Sequence, residues 1–204
     1  AGCRWLHLVD LNGAVEGRPV NSEAISAVLA ALDIPVQLGG GIRDMAAVEH
    51  LLDTGIDRVI LGTVAVSDPA LLGDALTRFG ARIAVGIDAR DGTVRLHGWT
   101  TDARLTALEL AANLEKRGVE LVIYTDISRD GELRGVNVEA IRKMLDATGL
   151  RVIASGGVSG QPDIENLQKL GHPRLEGAII GKALYEGRIN LREVLNISET
   201  GRVG

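Results

Sequence analysis

The chain has 204 residues, of which 46% are hydrophobic and only 2% aromatic, so one domain or two small ones with an aliphatic core are expected. The net charge of −5 argues against general binding to nucleic acid or to a membrane surface, although backbone amides on an acidic protein can still hold an anion. The single Cys3 excludes an internal disulfide, and no apolar run reaches the roughly 20 residues of a membrane span. No signal peptide is recognised at the start of the sequence. Together these observations predict a cytoplasmic protein.

Short apolar runs alternate with amphipathic runs along the chain. The apolar runs predict seven strands, at residues 5–9, 35–38, 58–62, 82–88, 121–126, 151–157 and 177–181. The amphipathic runs predict helices at 22–32, 45–55, 69–80, 106–118, 137–149, 163–171 and 190–195. Residues 90–96 predict a short hairpin that turns at Asp91-Gly92. Strict alternation predicts parallel strands, which suit both a doubly wound sheet and a (β/α)8 barrel.

An internal repeat decides between these two folds. Three segments align with three later ones: 6–25 with 122–141, 36–44 with 153–160, and 58–69 with 177–188. Asp10 lies 116 positions before Asp126, and Gly40 lies 116 positions before Gly156. This constant spacing predicts a (β/α)8 TIM-type barrel of duplicated half-barrels, forming a single domain over residues 1–204. Because the second half has four predicted strands and the first has three, strand 1 and most of helix 1 are expected to be missing, leaving a barrel truncated to about seven βα units.

Two glycine-rich turns occupy matching places in the two halves. Each follows a strand and precedes a helix, where backbone amides can approach an anion. The predicted phosphate-binding residues are Gly39, Gly40, Gly41, Gly62 and Thr63 in the first half, and Gly156, Gly157, Gly181 and Lys182 in the second. The alternative is that these glycines serve tight turns only.

Acidic residues end three of the predicted strands, at Asp10, Asp88 and Asp126, and Asp130 follows in the next loop. Catalytic residues of this barrel lie at the C-terminal ends of strands, so these carboxylates are expected at the mouth. A strand-end carboxylate can instead cap the following helix, which is the favoured interpretation for Asp10. Trp99 is expected in a loop over the mouth, where it stacks on a flat ring or covers the rim. No Cys/His cluster suggests a metal site.

Several motifs resemble the phosphoribosyl isomerase family of histidine biosynthesis. They are VQLGGGIRD (36–44), VGIDARDG (85–92), HGWT (97–100), YTDISRDGELRG (124–135), VIASGGVS (152–159) and GAIIGKALYEG (177–187). The sister family, the cyclase subunit of imidazole glycerol phosphate synthase, shares the duplication but usually has Asp-Ala-Lys where this chain has Asp-Ala-Arg at 88–90. A bifunctional histidine/tryptophan isomerase is a further alternative within the resemblance.

The resemblance implies an Amadori rearrangement of a doubly phosphorylated aminoaldose to an aminoketose, without a cofactor. It implies that Asp88 is the acid that opens the ring, that Trp99 stacks on the substrate, and that Thr125, Asp126 and Asp130 line the site. The family's base is an Asp at the end of a first strand, for which this chain has no match. A second hypothesis is therefore a non-catalytic barrel that binds a phosphorylated ligand, or that completes itself as a homodimer through open edges.

Overall fold

The protein is represented by a computed structural model that describes residues 2–96 and 101–200, including side chains except those of 101–104 and 198–200. Its strands are β1 (Leu6–Val9), β2 (Val36–Gly39), β3 (Arg58–Leu61), β4 (Ile83–Arg90), β5 (Thr93–Leu96), β6 (Thr101–Thr106), β7 (Leu121–Asp126), β8 (Arg151–Ser155) and β9 (Leu175–Ala178). Its α-helices are α1 (Leu11–Glu16), α2 (Ser22–Ala30), α3 (Met45–Asp53), α4 (Thr63–Ser67), α5 (Pro69–Phe79), α6 (Ala107–Lys116), α7 (Val138–Ala147), α8 (Gln161–Gln168), α9 (Lys182–Tyr185) and α10 (Leu191–Thr200). None of these helices is both long and apolar enough to cross a membrane.

Seven of the strands are parallel and follow the order β1-β2-β3-β4-β7-β8-β9 in one curled sheet. The predicted α/β alternation is therefore confirmed, and the sheet is consistent with part of a TIM-type barrel. Within the described residues β1 and β9 form the two edges of this sheet and do not pair with each other. Strands β5 and β6 leave the main path after β4. The turn at Asp91-Gly92, which joins β4 to the antiparallel strand β5, has positive φ at both residues, as the sequence predicts.

Successive side chains of the parallel strands point to opposite faces of the sheet, and both faces are apolar. One face packs on the helices and contains Val59, Leu61, Val85 and Val122 in the main core. The other face contains a separate inner cluster of Ile60, Ala84, Leu121, Ile123 and Ile153. This alternation fixes which strand residues face the interior of the barrel.

A polar cluster lies among the inner-facing side chains toward the N-terminal ends of the first strands. The guanidinium of Arg58 stacks over the Trp5 ring at 4.2 Å and donates to Gln37 Oε1 at 3.0 Å. Gln37 Nε2 lies 3.1 Å from Nδ1 of His7. Burial lowers the pKa of His7 to about 4, so this imidazole is neutral near pH 7.

The observed elements differ from the predicted ones mainly in short segments. Helices α1, α4 and α9 have six, five and four residues, too short for an apolar period to be recognised in the sequence. The last strand was predicted at 177–181 and is found at Leu175–Ala178, because pairing with β8 begins with Leu175 opposite Val152. Strand β6, at Thr101–Thr106, was not predicted, and α10 extends to Thr200 where the prediction ended at 195. The other long helices and strands lie within a few residues of their predicted bounds.

Candidate active site at the strand ends

Three polar side chains form a row on the inner face at the C-terminal ends of neighbouring strands. Asp88 of β4 is in register with Thr125 of β7, and Thr125 is in register with Ser155 of β8. Adjacent strands lie about 4.8 Å apart, so the three side chains are close neighbours. Asp88 is partly buried and Thr125 is buried, which places an acid and a hydroxyl together at the edge of the inner cluster. Sequence reasoning missed Ser155, which only the register between β7 and β8 reveals.

The second glycine-rich turn lines a small pocket beside this row. The pocket has a volume of about 70 Å³. Its lining brings together five residues predicted from the sequence with others from the same loops: Asp130, Gly131, Leu133, Ser155, Gly156, Gly157, Val158, Ile179, Gly181 and Lys182. Residues from three βα loops therefore converge at the end of β8, next to Thr125.

The glycines of this turn are required by close backbone approach. Gly156 and Gly157 both have a φ of +85°. A Cβ at Gly156 would lie 2.7 Å from the carbonyl oxygen of Asp126, and one at Gly157 would lie 2.6 Å from that of Gly135. The Gly135 N–H also donates to the Gly157 carbonyl at 3.0 Å. Only glycine fits this turn, because the preceding βα loop lies directly against it.

The first half has the same arrangement at the end of β2. Gly40 and Gly41 have φ values of +103° and +73°. A Cβ at Gly40 would collide with the carbonyl group of Asp10, and one at Gly41 would lie 2.7 Å from the carbonyl oxygen of Arg18. The structure therefore gives Gly40 and Gly156 equivalent surroundings, as the repeat predicts.

The next turn in each half is also matched. Gly62 precedes Thr63 at the start of α4, with φ −98° and ψ −113°. Gly181 precedes Lys182 at the start of α9, with φ −108° and ψ −99°. A Cβ added at either glycine would meet no other atom within 4 Å, so packing does not demand a glycine at these two positions.

The carboxylates of Asp10 and Asp126 are almost fully buried and hydrogen-bonded to their own βα loops. Asp10 caps α1 through the Gly13 N–H at 2.8 Å, as the sequence favoured. Burial disfavours its charged form, but hydrogen bonds from Val20, Gly13 and Asn21 outweigh that effect and hold the pKa of Asp10 below its ordinary value.

Asp130 lies at the exposed rim of the mouth, in the loop after β7. Partial desolvation raises the pKa of its carboxyl, and a hydrogen bond from the Gly131 N–H opposes this change. The Lys182 ammonium donates to the Gly131 carbonyl at 2.8 Å and lies 3.8 Å from a carboxylate oxygen of Glu186. Lys182 thus links the loop of Asp130 to the start of α9.

Trp99 and the rest of the HGWT motif lie outside the described residues. Among the residues that are described, no group of three or more His, Cys, Asp or Glu side chains could hold a metal ion. A larger open cleft of about 610 Å³ lies at the opposite ends of the strands, around Leu29, Pro35 and Asp57, and contains none of the predicted site residues. The polar row and its glycine-rich turns, rather than this cleft, are therefore the candidate active site.

Comparisons with known proteins agree with this geometry. The family model described as "Histidine biosynthesis protein" matches residues 1–190. A protein of Rhodospirillum rubrum is 52% identical over 97% of this chain and 82% of its own length, and one of Rhodospirillum centenum is 54% identical over 97% and 80%. A protein of a Chelativorans species is 52% identical over 98% and 82%. All three are named isomerases of an imidazole-4-carboxamide bearing two phosphoribosyl groups. The chain therefore belongs to the histidine biosynthesis protein family.

Proposed function

We propose that this chain is an intramolecular oxidoreductase that carries out the aldose–ketose (Amadori) isomerisation of phosphoribosylformimino-aminoimidazole carboxamide ribotide. The observation that carries the proposal is the row of Asp88 and Thr125 at the strand ends, placed in a sheet that also presents two matched glycine-rich turns. Relatives that match nearly the whole of this chain are named isomerases of that compound. A bifunctional enzyme of histidine and tryptophan synthesis remains an alternative within the same chemistry.

The reaction needs an acid, a base and no external redox partner. Asp88, in its protonated form, gives a proton to the ribose ring oxygen. The bond from that oxygen to the anomeric carbon breaks, and the lone pair of the attached nitrogen forms a protonated imine at that carbon. A base then takes the proton from the neighbouring sugar carbon, and the electron pair moves to form an enolamine. Proton return to the former imine carbon and loss of the hydroxyl proton give the aminoketose. The Thr125 hydroxyl, on the neighbouring strand and in register with Asp88, is assigned to hydrogen-bond the substrate beside the acid.

The two ends of the substrate carry phosphates, and we assign one to each half of the sheet. The first binds at Gly39, Gly40 and Gly41 with Gly62 and Thr63. The second binds at Gly156 and Gly157 with Gly181 and Lys182. Positive φ values turn consecutive backbone amides toward one side, which is the arrangement that binds oxyanions. Trp99 as a stacking residue, and Asp126 and Asp130 as participants in the chemistry, stay predictions.

A further βα unit between β1 and β9 would supply the base and complete the barrel. The internal repeat supports this proposal, because the counterpart of β4 in the first half falls at this position. The alternative is closure by a second copy of the chain, since among the described residues β1 pairs on one side only, and Val9 is 49% exposed. The cytoplasmic location expected from the composition stays a prediction.

Replacement of Asp88 tests the assigned acid. Asp88→Asn is expected to lower turnover of the phosphorylated aminoaldose by about 10²–10⁴-fold, because it removes a general acid. Binding of inorganic phosphate is expected to be unchanged. Asp74→Asn, on the exposed face of α5, is the matched control and is expected to keep wild-type turnover.

The outcomes separate the two hypotheses for this chain. Turnover that survives in Asp88→Asn would contradict the assignment of the acid. Phosphate binding without turnover in the unaltered protein would instead favour a non-catalytic binding barrel.

A further inference from the structure

Each half of the sheet contains an aspartate and an asparagine, eleven residues apart, that close the βα loop between them. In the first half, Asp10 Oδ1 accepts from Asn21 Nδ2 at 2.6 Å, and Oδ2 accepts from the N–H groups of Val20 at 2.7 Å and Asn21 at 3.1 Å. The Gly13 N–H donates to Oδ1 at 2.8 Å. One buried carboxylate therefore ties the beginning of this loop to its end. We call this pair the first clamp.

The second clamp is Asp126 with Asn137. Asp126 Oδ2 accepts from Asn137 Nδ2 at 2.7 Å, while Oδ1 accepts from the N–H of Ser128 at 3.1 Å and from its hydroxyl at 2.5 Å. Arg129 Nε lies 3.7 Å from Oδ2. Asn137 has a second role that Asn21 lacks, because its Oδ1 accepts from the Ala140 N–H and caps α7.

The register shows that the second clamp does not face the polar row. Asp126 is opposite Ala89, whose side chain is fully buried in the core against the helices, whereas Thr125 is opposite Asp88. Side chains alternate between the two faces, so the Asp126 carboxylate points to the helix side of the sheet. Its partners are all in its own loop, which fits a structural task for this carboxylate.

The loops that the clamps close are the surfaces on which the glycine-rich turns rest. Gly156 packs against the carbonyl of Asp126, and Gly157 packs against Gly135, which also donates to it at 3.0 Å. In the first half Gly40 packs against the Asp10 carbonyl. The direction in which each turn presents its amides therefore depends on the loop that its clamp holds.

We propose that the two clamps are positioning elements, one for each phosphate site. Asp10, Asn21, Asp126 and Asn137 act on the substrate through the glycine-rich turns and do not touch it. This inference rests on the proposed phosphate sites. It assigns Asp126 a positioning role in place of the chemical role predicted from the sequence.

The test uses Asn21→Ala and Asn137→Ala in the full chain, with Asn166→Ala on the exposed face of α8 as the control. Amide hydrogen exchange of the turn glycines and titration with inorganic phosphate, followed by amide NMR shifts, are measured for each protein. Asn137→Ala is expected to speed exchange at Gly156 and Gly157 and to weaken phosphate binding there by about tenfold, since a hydrogen bond to a charged group is lost. Asn21→Ala is expected to speed exchange at Gly40 and Gly41 and to weaken phosphate binding there to a similar extent.

Asn137→Asp separates clamping from capping. An aspartate keeps an acceptor for the Ala140 N–H but cannot donate to Asp126. It is expected to weaken the second site as much as Asn137→Ala does, with KM raised more than kcat is lowered. Wild-type exchange and phosphate binding in Asn137→Asp would overturn the proposal, because capping alone would then explain the alanine variant.

Two further results would also decide the question. Equal effects of each alanine variant on both turns would overturn the proposal, since they would indicate general destabilisation. If the unaltered protein binds no phosphate at either turn, the proposed phosphate sites fail, but a half-specific change in exchange would still support the clamps.

Discussion

The stability of the variant Gly156→Ala tests how closely the Asp126 loop packs against the second glycine-rich turn. Gly156→Ala places a side chain in a left-handed conformation, at φ +85°, which costs about 1–2 kcal/mol. The new Cβ would also lie 2.7 Å from the Asp126 carbonyl oxygen, and displacing backbone in a packed region costs a further 1–3 kcal/mol or so. The free energy of unfolding is therefore expected to fall by about 2–5 kcal/mol.

Two other glycines separate these contributions. Gly55 has a φ of +104° and nothing within 4 Å of a Cβ, so Gly55→Ala should show the backbone cost of about 1–2 kcal/mol alone. Gly73 lies inside α5 with equally open surroundings, so Gly73→Ala should raise the free energy of unfolding by about 0.5–1 kcal/mol.

Urea unfolding followed by far-ultraviolet circular dichroism measures all three variants against the unaltered protein. The expected order of stability is Gly73→Ala, unaltered protein, Gly55→Ala, Gly156→Ala. If Gly156→Ala loses no more stability than Gly55→Ala, the Asp126 loop moves aside at no cost. The close approach of the two backbones then does not require a glycine at position 156.

Two further predictions concern His7 and the edge of the sheet. The folded pKa of His7, about 4, lies below its ordinary value of 6.5, so protonation favours the unfolded chain. The contribution of neutral His7 to the free energy of unfolding is fully present above pH 6.5 and declines toward pH 4. Between pH 7 and pH 5, urea unfolding should show that the unaltered protein loses about 2 kcal/mol more stability than His7→Gln. Identical pH profiles of the two proteins would contradict this. If a second copy of the chain closes the sheet at the β1 edge, sedimentation will show a concentration-dependent dimer that Val9→Lys reduces to a monomer, because an edge lysine opposes strand pairing. An unaltered chain that stays monomeric would argue against this closure and favour a further βα unit at the edge.

The repeated architecture could be predicted from the sequence because each half of the repeat indicates which residues take the equivalent place in the other half. The spacing of 116 positions anticipated that Gly40 and Gly156 would occupy equivalent turns, and both rest on the carbonyl of the equivalent aspartate. The hairpin turn at Asp91-Gly92 was also predicted, since few residues tolerate two successive positive φ values.

What the sequence did not reveal depends on which strands are neighbours. Ser155 joins Asp88 and Thr125 only because β4, β7 and β8 are paired in a particular register. The same register turns Asp126 to the helix side, although its place at a strand end resembles that of Asp88. The bounds of β9 likewise depend on its ladder with β8 and not on its own apolar run.

The glycine-rich turns rest on loops from their own half of the chain, and the two halves are supported differently. In the second half Asp163 adds hydrogen bonds to the N–H groups of Ser159 at 2.8 Å and Val136 at 3.2 Å, which join the turn to the loop before it. In the first half the guanidinium of Arg43 lies against Gly17 instead. If each turn binds one phosphate as proposed, a substitution in one half can therefore weaken the binding of one phosphate and leave the binding of the other unchanged. Because the two turns have different supports, their sequences can change separately after the duplication. If the turns bind the two phosphates as proposed, unequal affinities at the two ends would favour one orientation of the substrate.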